Sequence, residues 1–276
     1  MTNPLQPLLS LHFSVSYSTK HAVLRNVAFE MAPGEIVGLV GQSGSGKSTL
    51  ALAILGLLDM KNARASGSIT FSGIDLLQLS ESQMRNIRGR SLGLVLQSPL
   101  ISLNPALKIR TQMKEAWRAH AKGTSSERDV AIENALSSVS LPQDEEFLKR
   151  YPSQLSVGQA QRVLIAMAVI HRPALLIADE STSALDVITQ SEILALFAKL
   201  NRESGMSILY ISHDLPSVAE ICHRVAILQD GAIVECNSTE QIFTRPENAY
   251  TRRLIDSLPA FPSGSSEKVR AVASGG

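Results

Sequence analysis

The stretch Glu35 to Leu50, EIVGLVGQSGSGKSTL, restricts what this chain can fold into more than any other. Ile36-Val37-Gly38-Leu39-Val40 is a short apolar run that reads as a buried parallel strand. A glycine-rich turn follows it, and Lys47-Ser48-Thr49-Leu50 opens an amphipathic helix. A turn without side-chain bulk can curl until successive backbone N–H groups point at one anion, and the helix behind it adds the positive end of its dipole. The spacing Gly41-x4-Gly46-Lys47-Ser48 is that of a nucleotide-phosphate cradle. In it Lys47 is expected to bring a mobile charge to the phosphates, and the Ser48 hydroxyl to coordinate Mg²⁺. A flexible Gly/Ser linker would need neither the buried strand before the turn nor the Lys-Ser pair after it.

A chain of 276 residues is long enough for one large α/β domain with subdomains. Its 26 basic and 25 acidic side chains leave a net charge of +1. No global field therefore gathers nucleic acid or coats an anionic membrane, and nucleic acid is not expected as a partner. Cys222 and Cys236 lack the close pairing of a zinc or redox motif; they read as packing residues and suit a reducing compartment. No apolar run approaches the roughly 20 residues that span a bilayer, and the N-terminal MTNPLQP does not read as a signal peptide, so membrane association is expected through a partner.

Before the cradle, alternation from Leu8 to Tyr17 and again from Val23 to Met31 predicts two strands of an antiparallel flank. Tyr17 ends the first, where it either stacks on an adenine or is simply an exposed strand-end tyrosine. After the cradle helix, Gly67 to Phe71 and Leu92 to Leu96 are strand-like, and the second runs into Gln97, a polar residue in a site position. Between Ser98 and Gln154 the spacing turns helical, with segments at Lys108–Ala121 and Ser126–Val139 and a third short one before Tyr151. Met113 and Trp117, four apart, read as core. Leu155-Ser156-Val157-Gly158-Gln159 then leads into a helix from Ala160 to His171: a second potential anion site, or an ordinary serine N-cap. The buried strand Ala174–Ala178 ends in Asp179-Glu180, two acids that are costly at the end of a parallel strand unless they work. In a phosphate-loop enzyme the first anchors Mg²⁺ and the second orients or deprotonates water. A helix from Val187 to Glu203 and a strand from Ser207 to Ser212 end at His213. The other histidines, His12, His21, His120, His171 and His223, read as surface or packing residues. Asp230-Gly231 is a strong hairpin signal, Thr239–Thr244 and Asn248–Ser257 are helical, and the composition from Pro259 onward is that of disorder.

Taken in this order, the residues resemble the ATP-binding subunit of an ABC transporter, over nearly the whole chain up to about Pro259. GQSGSGKST at 41–49 is similar to the Walker A loop, Gln97 to the Q-loop, and LSVGQ at 155–159 to the signature. LLIADE at 175–180 is similar to the Walker B strand with its glutamate, SALD at 183–186 to the D-loop, and His213 to the switch histidine. The resemblance implies an α/β fold, a phosphate-loop NTPase core with mainly parallel sheet, an antiparallel β flank and an inserted α-helical subdomain. It implies one such domain over residues 1–258: core and flank at 1–97 and 155–235, helical subdomain at 98–154, and C-terminal helical segment at 236–258, with a disordered tail at 259–276. ATP and Mg²⁺ are the implied cofactors. Gly41, Ser43, Gly44, Ser45, Gly46, Lys47, Ser48 and Thr49 would hold the nucleotide, joined by Tyr17 if it stacks on the base. Ser48, Gln97 and Asp179 would hold the metal. Glu180 would activate water, with His213 and Gln97 as further catalytic groups, and Ser156, Gly158 and Gln159 would close on ATP held by a second ATPase subunit.

Such a dimer would make ATP an adhesive, because the γ-phosphate touches both faces only when they close; moving from mostly open to mostly closed takes roughly 5 kcal/mol of differential binding. Gln97-Ser98-Pro99 followed by Ser102-Leu103-Asn104-Pro105, and RPENAYTRRLIDSLP at 245–259, resemble the group serving oligopeptide, dipeptide and nickel importers. That group implies integral membrane permeases, an external solute-binding protein and a peripheral location on the cytoplasmic face of the inner membrane. A soluble ABC ATPase of DNA repair or translation is the alternative, but it would carry a long coiled-coil insertion or two tandem cassettes. A non-hydrolysing structural subunit is a third reading, against which Glu180 and His213 stand.

The chain departs from the family pattern in three places: Val157 stands for the usual signature glycine, Ser181 for the usual proline, and Asn248-Ala249 for the His-Pro of this importer group. A branched side chain at 157 stiffens the backbone and adds bulk where two subunits would meet. The site formed by this signature is expected to be somewhat weakened but active. Val157→Gly should leave steady-state ATPase activity unchanged or raise it; a large loss would show the valine to be an adaptation.

Overall fold

The computed structural model describes residues 6–17, 20–183 and 185–258. The tail expected to be disordered (259–276), the first five residues, Ala184 of the SALD segment and the His21 side chain lie outside the described residues. The chain forms two compact units, one from residues 1–78 and 210–276 and the other from 79–209. This division by packing follows a different line from the core, flank and insertion boundaries expected from the sequence.

The first unit begins with β1 (Leu9–Tyr17), β2 (Lys20–Met31), β3 (Ile36–Val40), α1 (Lys47–Ile54), β4 (Ala63–Phe71) and β5 (Ile74–Asp75). The second unit carries α2 (Glu81–Ile87), β6 (Leu92–Val95), α3 (Pro99–Ser102), α4 (Ile109–Arg118), α5 (Ser125–Ser138), α6 (Glu145–Leu148), α7 (Val157–Val169), β7 (Leu175–Asp179) and α8 (Val187–Ser204). β8 (Ser207–Ser212) leads the chain back into the first unit, which closes with α9 (Leu215–Ile221), β9 (Arg224–Gln229), β10 (Ala232–Ser238), α10 (Thr239–Thr244) and α11 (Ala249–Asp256).

In the first unit β2, β1, β4 and β5 form an antiparallel sheet in that order. Alternation along β1 buries Leu9, Leu11, Phe13 and Val15 on one face. Leu9 lies between Met31 and Phe71, and Leu11 between Phe29 and Ile69, so apolar side chains meet across three strands. The register of β1 against β2 shifts twice, between Phe13 and Val15 and again between Val15 and Tyr17; at the first shift Phe13 faces Val27 but Val15 faces Leu24, so β2 carries one residue more than β1 over this interval. Asn26, at φ 44°, lies in that bulge, and its N–H donates to Ser14 Oγ over 2.9 Å. The bulge turns Leu24 onto the buried face that Val27 also occupies, although the two are three residues apart.

β3 pairs with β9 in parallel, and β9 with β10 antiparallel. Every residue of β3 is buried, and Gly38 has a steric reason: a Cβ there would meet Val218 Cγ1 of α9 at 2.6 Å. Cys222 is buried beside it, and burial pushes its thiol far above the usual range, the state of an inert packing residue. Cys236 is half-buried and accepts from Arg224 Nη2.

In the second unit β6 and β7 pair in parallel. Around them α4 buries Ile109, Met113 and Trp117 as one stripe, as the four-residue spacing predicted. α7 begins three residues before the expected Ala160, because Ser156 and Gln159 close a reciprocal capping box that starts the helix ahead of its apolar run. His120 and His171, read as surface or packing residues, are both half-buried and meet edge to face with ring centroids 5.5 Å apart. Among the described residues, no helix is long and apolar enough to cross a membrane.

Glu235 of β10, only 8% exposed, holds the start of α11 to β10 within the first unit. Its two oxygens accept the N–H groups of Glu247 (2.9 Å) and Asn248 (3.0 Å), and Asn248 Oδ1 caps α11 by accepting from Tyr250 N–H at 2.8 Å. Burial opposes ionisation of this carboxyl, but the nearby Thr251 hydroxyl, the N–H groups of Glu247 and Asn248 and the charge of Arg252 outweigh it and hold the pKa below the ordinary value. A carboxyl depressed in the folded state adds stability above its unfolded pKa and loses it as pH falls. Glu235→Gln should therefore lower the thermal midpoint at pH 7, with a loss of about 1–3 kcal/mol. The gap to the parent protein should shrink as the pH of the melt is brought from 6 to below 4.

Candidate functional site: a phosphate loop, two acids and a capped helix

β3 delivers the chain into a turn in which Gly44 and Gly46 hold φ of 81° and 110°, conformations that residues with a Cβ rarely adopt. Gly41 is needed for space: a Cβ there would meet the Leu228 carbonyl oxygen at 2.3 Å. Lys47, 5% exposed, folds its ammonium back over the turn and donates to the carbonyls of Gly41 (2.7 Å) and Gln42 (3.2 Å). A cation lodged inside a ring of backbone groups is a counter-charge for an anion bound to the same ring. No side chain caps α1 at Gly46, so the positive end of the helix is not covered by a capping oxygen. Ser45 Oγ is buried in the turn without a protein hydrogen-bond partner, which again fits a loop shaped for a phosphate. Gln42, Ser43, Gly44 and Ser48 are exposed.

Two contacts that the sequence reading did not find shape this loop. A Cβ on Gly46 would meet Leu24 Cδ2 at 2.6 Å, so the turn rests directly on the residue that the β2 bulge re-aims. The Asp230-Gly231 hairpin turn, with φ of 47° and 80°, donates from Gly231 N–H to the Ser45 carbonyl at 3.1 Å. It accepts from Arg25 twice, N–H to Gly231 O and Nη2 to Asp230 O, each at 2.7 Å. The dipeptide is legible as a hairpin; its second role depends on which strands become neighbours. Tyr17, at the end of β1, places its hydroxyl 3.3 Å from Thr49 Oγ1 in α1, beside the loop.

His213 follows β8 and is exposed. The turn that carries it is braced by Asp214 N–H donating to Ser212 Oγ (3.0 Å), Ser217 Oγ donating to Asp214 O (2.8 Å) and Tyr210 donating to Ser217 Oγ (3.1 Å).

Within the second unit, Asp179 ends β7, and Glu180 follows it at φ 47°, a left-handed backbone uncommon for a glutamate. Gln97, exposed beyond the end of β6, donates from Nε2 to Ser183 Oγ at 2.8 Å; Ser183 Oγ donates to the Glu180 carbonyl at 3.0 Å. Gln97 and Glu180, read separately from the sequence, are thus linked through a residue that carried only the D-loop match. Ser156 Oγ accepts from Gln159 N–H and Gln159 Oε1 accepts from Ser156 N–H, so both side chains cap α7, and the Ser156 proton remains for a further acceptor. Gly158 is tight: a Cβ would meet Thr189 Cγ2 at 2.9 Å, and Asp186 fixes Thr189 by accepting from both its hydroxyl (2.7 Å) and its N–H (3.0 Å). Those bonds, the hydroxyl first, hold the Asp186 carboxyl below its usual range. Val157 is 42% exposed at the first position of α7.

No cluster of three or more His, Cys, Asp or Glu side chains able to hold a metal exists among the described residues. The expected donors are instead a serine hydroxyl, a glutamine amide and one carboxylate. All are hard oxygen ligands, and so small a set suits Mg²⁺, which keeps water and phosphate oxygens in its shell.

A methyl group at position 231 would collide with the Val23 carbonyl oxygen at 2.1 Å. Gly231→Ala should weaken ATP binding at least tenfold in equilibrium titration and lower the thermal midpoint. Gly205→Ala, at an equally left-handed φ of 67° with open space around it, should cost about 1–2 kcal/mol of stability. Its ATP affinity should stay at the parent value.

Residues 24–183 match the family model described as ABC transporter. The chain is 41% identical over 269 residues to the Dipeptide transport ATP-binding protein DppD of Haemophilus influenzae, covering 97% of this chain and 81% of that protein. Among solved structures it is similar to the ATP-binding cassette MJ0796 in a dimeric post-hydrolysis state bound to ADP and Pi, at 29% identity and a TM-score of 0.71, covering 84% of this chain and 98% of the other. It is also similar to cbiO1 from Clostridium perfringens, part of the ABC transporter complex cbiONQ, at 26% identity and a TM-score of 0.78, covering 95% and 99%. By the family model that spans more than half of it and by relatives of this likeness, this chain belongs to the ABC transporter family as an ATP-binding, ATP-hydrolysing subunit.

Proposed function

We propose that the chain powers import of peptides or a related small solute, such as nickel, from the cytoplasmic face of the inner membrane. It would work as one of two ATPase subunits joined to integral permeases that receive solute from an external binding protein. The observation that carries the ATP chemistry is the phosphate loop itself, with a helix start that no side chain caps, the buried Lys47 ammonium and the partnerless Ser45 hydroxyl in one turn. The peptide class is supported by the likeness to a dipeptide transport subunit, and the two-subunit arrangement by the likeness to a dimeric cassette. A soluble ATPase of DNA repair or translation finds no support among these relatives.

In this reading the N–H groups from Gly41 to Thr49 and the Lys47 charge bind the β- and γ-phosphates, and Tyr17 packs against the base. Ser48, Gln97 and Asp179 are the residues that would hold Mg²⁺, which would neutralise charge building up on the phosphates. Glu180 orients and deprotonates the attacking water, and His213 donates to the γ-phosphate. Ser156, Gly158 and Gln159 present the start of α7 to nucleotide held by the other subunit, so that closure and hydrolysis are coupled.

Glu180→Gln should keep ATP binding while steady-state hydrolysis falls at least about 100-fold, the usual worth of a general base. Turnover equal to the parent's would overturn this assignment. With permeases co-purified in vesicles, a peptide-loaded binding protein should stimulate ATPase activity. Failure across a peptide panel, with stimulation by a nickel-loaded one, would move the solute from peptide to metal.

A further inference from the structure

The link between Gln97 and Glu180 fixes more than distance. Ser183 has one hydroxyl proton, and its Oγ lies 3.0 Å from the Glu180 carbonyl, an atom that can only accept. The Ser183 N–H donates to the same carbonyl at 3.2 Å, using its other lone pair. With its proton committed, Oγ has only lone pairs to offer, so the group that faces it must be a donor. Gln97 meets that demand by turning its NH₂ to Ser183 at 2.8 Å, which leaves Oε1 at the opposite corner of the amide. A glutamine amide is nearly symmetric in shape, and nothing but its hydrogen bonds decides which end points where. Ser181 takes part: a proline at 181 would push the residue before it toward extended backbone, whereas serine leaves Glu180 at the φ of 47° from which its carbonyl receives Ser183.

We infer that Ser183 is a positioning residue that sets the polarity of the Gln97 amide, holding Oε1 outward as a ready Mg²⁺ ligand. The inference rests on the reading of Gln97 as a metal ligand. In the parent protein the amide is then pre-oriented, and the metal need not select one of two orientations.

The test is equilibrium binding of a non-hydrolysable ATP analogue titrated with Mg²⁺, beside thermal melts of each variant. Ser183→Ala should raise the Mg²⁺ concentration at the midpoint three- to tenfold, while affinity for the analogue in EDTA stays within twofold. Ser183→Thr, which keeps the hydroxyl, should restore the parent midpoint. Gln97→Ala should shift the midpoint as well, and adding Ser183→Ala to it should bring no further shift. A parent-like midpoint in Ser183→Ala, no rescue by threonine, or full additivity with Gln97→Ala would each overturn the inference. The underlying reading fails separately: a parent-like midpoint in Gln97→Ala removes the metal role of that residue, and parent-like analogue binding by Lys47→Ala removes the nucleotide site.

Discussion

A loop that binds an anion with its backbone cannot lock itself in shape. The side chains that would stiffen it are the ones its function forbids, and glycine loses more conformational freedom on being held in one shape than any other residue. The restraint has to come from neighbours. Here it comes from the Gly231 N–H on the Ser45 carbonyl, from Leu24 lying against Gly46, and from the Leu228 carbonyl so near Gly41 that only glycine fits. Much of the first unit can be understood as the frame for this restraint. β9 and β10 exist as a hairpin whose tip reaches the loop, and β2 supplies both Leu24 and the arginine that holds that tip.

How much of this could be read beforehand depended on whether the determining contact was local. The strand and helix on either side of the glycine turn, the acids at the end of β7, the hairpin at Asp230-Gly231 and the helix Thr239–Thr244 are written in periodicity and turn chemistry within a few residues of themselves. The start of α7 was misjudged because its apolar pattern begins after the capping box that launches the helix. The helices α2, α3 and α9 were not read from the sequence, and α9 became visible through the space it denies to Gly38. At the site, residue identities were legible but their connections were not. Nothing near Gly231 in sequence announces Ser45, and Gln97 and Ser183 are 86 positions apart.

The serines of the second unit show how far a hydroxyl's function is set by what else claims its proton. Ser156 accepts at its helix start and retains a proton to give. Ser183 has given its proton away and can only receive. Ser181, 1% exposed and without a protein hydrogen-bond partner at its oxygen, stands where a backbone without an N–H is usual in this family. One residue type thus serves as donor, as acceptor and as a relaxed backbone position within a single unit.

The bulge at Asn26 has a consequence for how this chain can change over evolutionary time. One extra residue lets Val27 and Leu24, three apart, share the buried side of the sheet. Loss of that one codon would leave them two apart, the spacing at which plain alternation already puts both on one face, so a single-residue deletion can iron the bulge out and keep Leu24 beneath the glycine turn. A substitution that flattens the bulge while keeping all the positions would instead turn Leu24 to solvent, so in this part of β2 a lost residue can be gentler than a changed one.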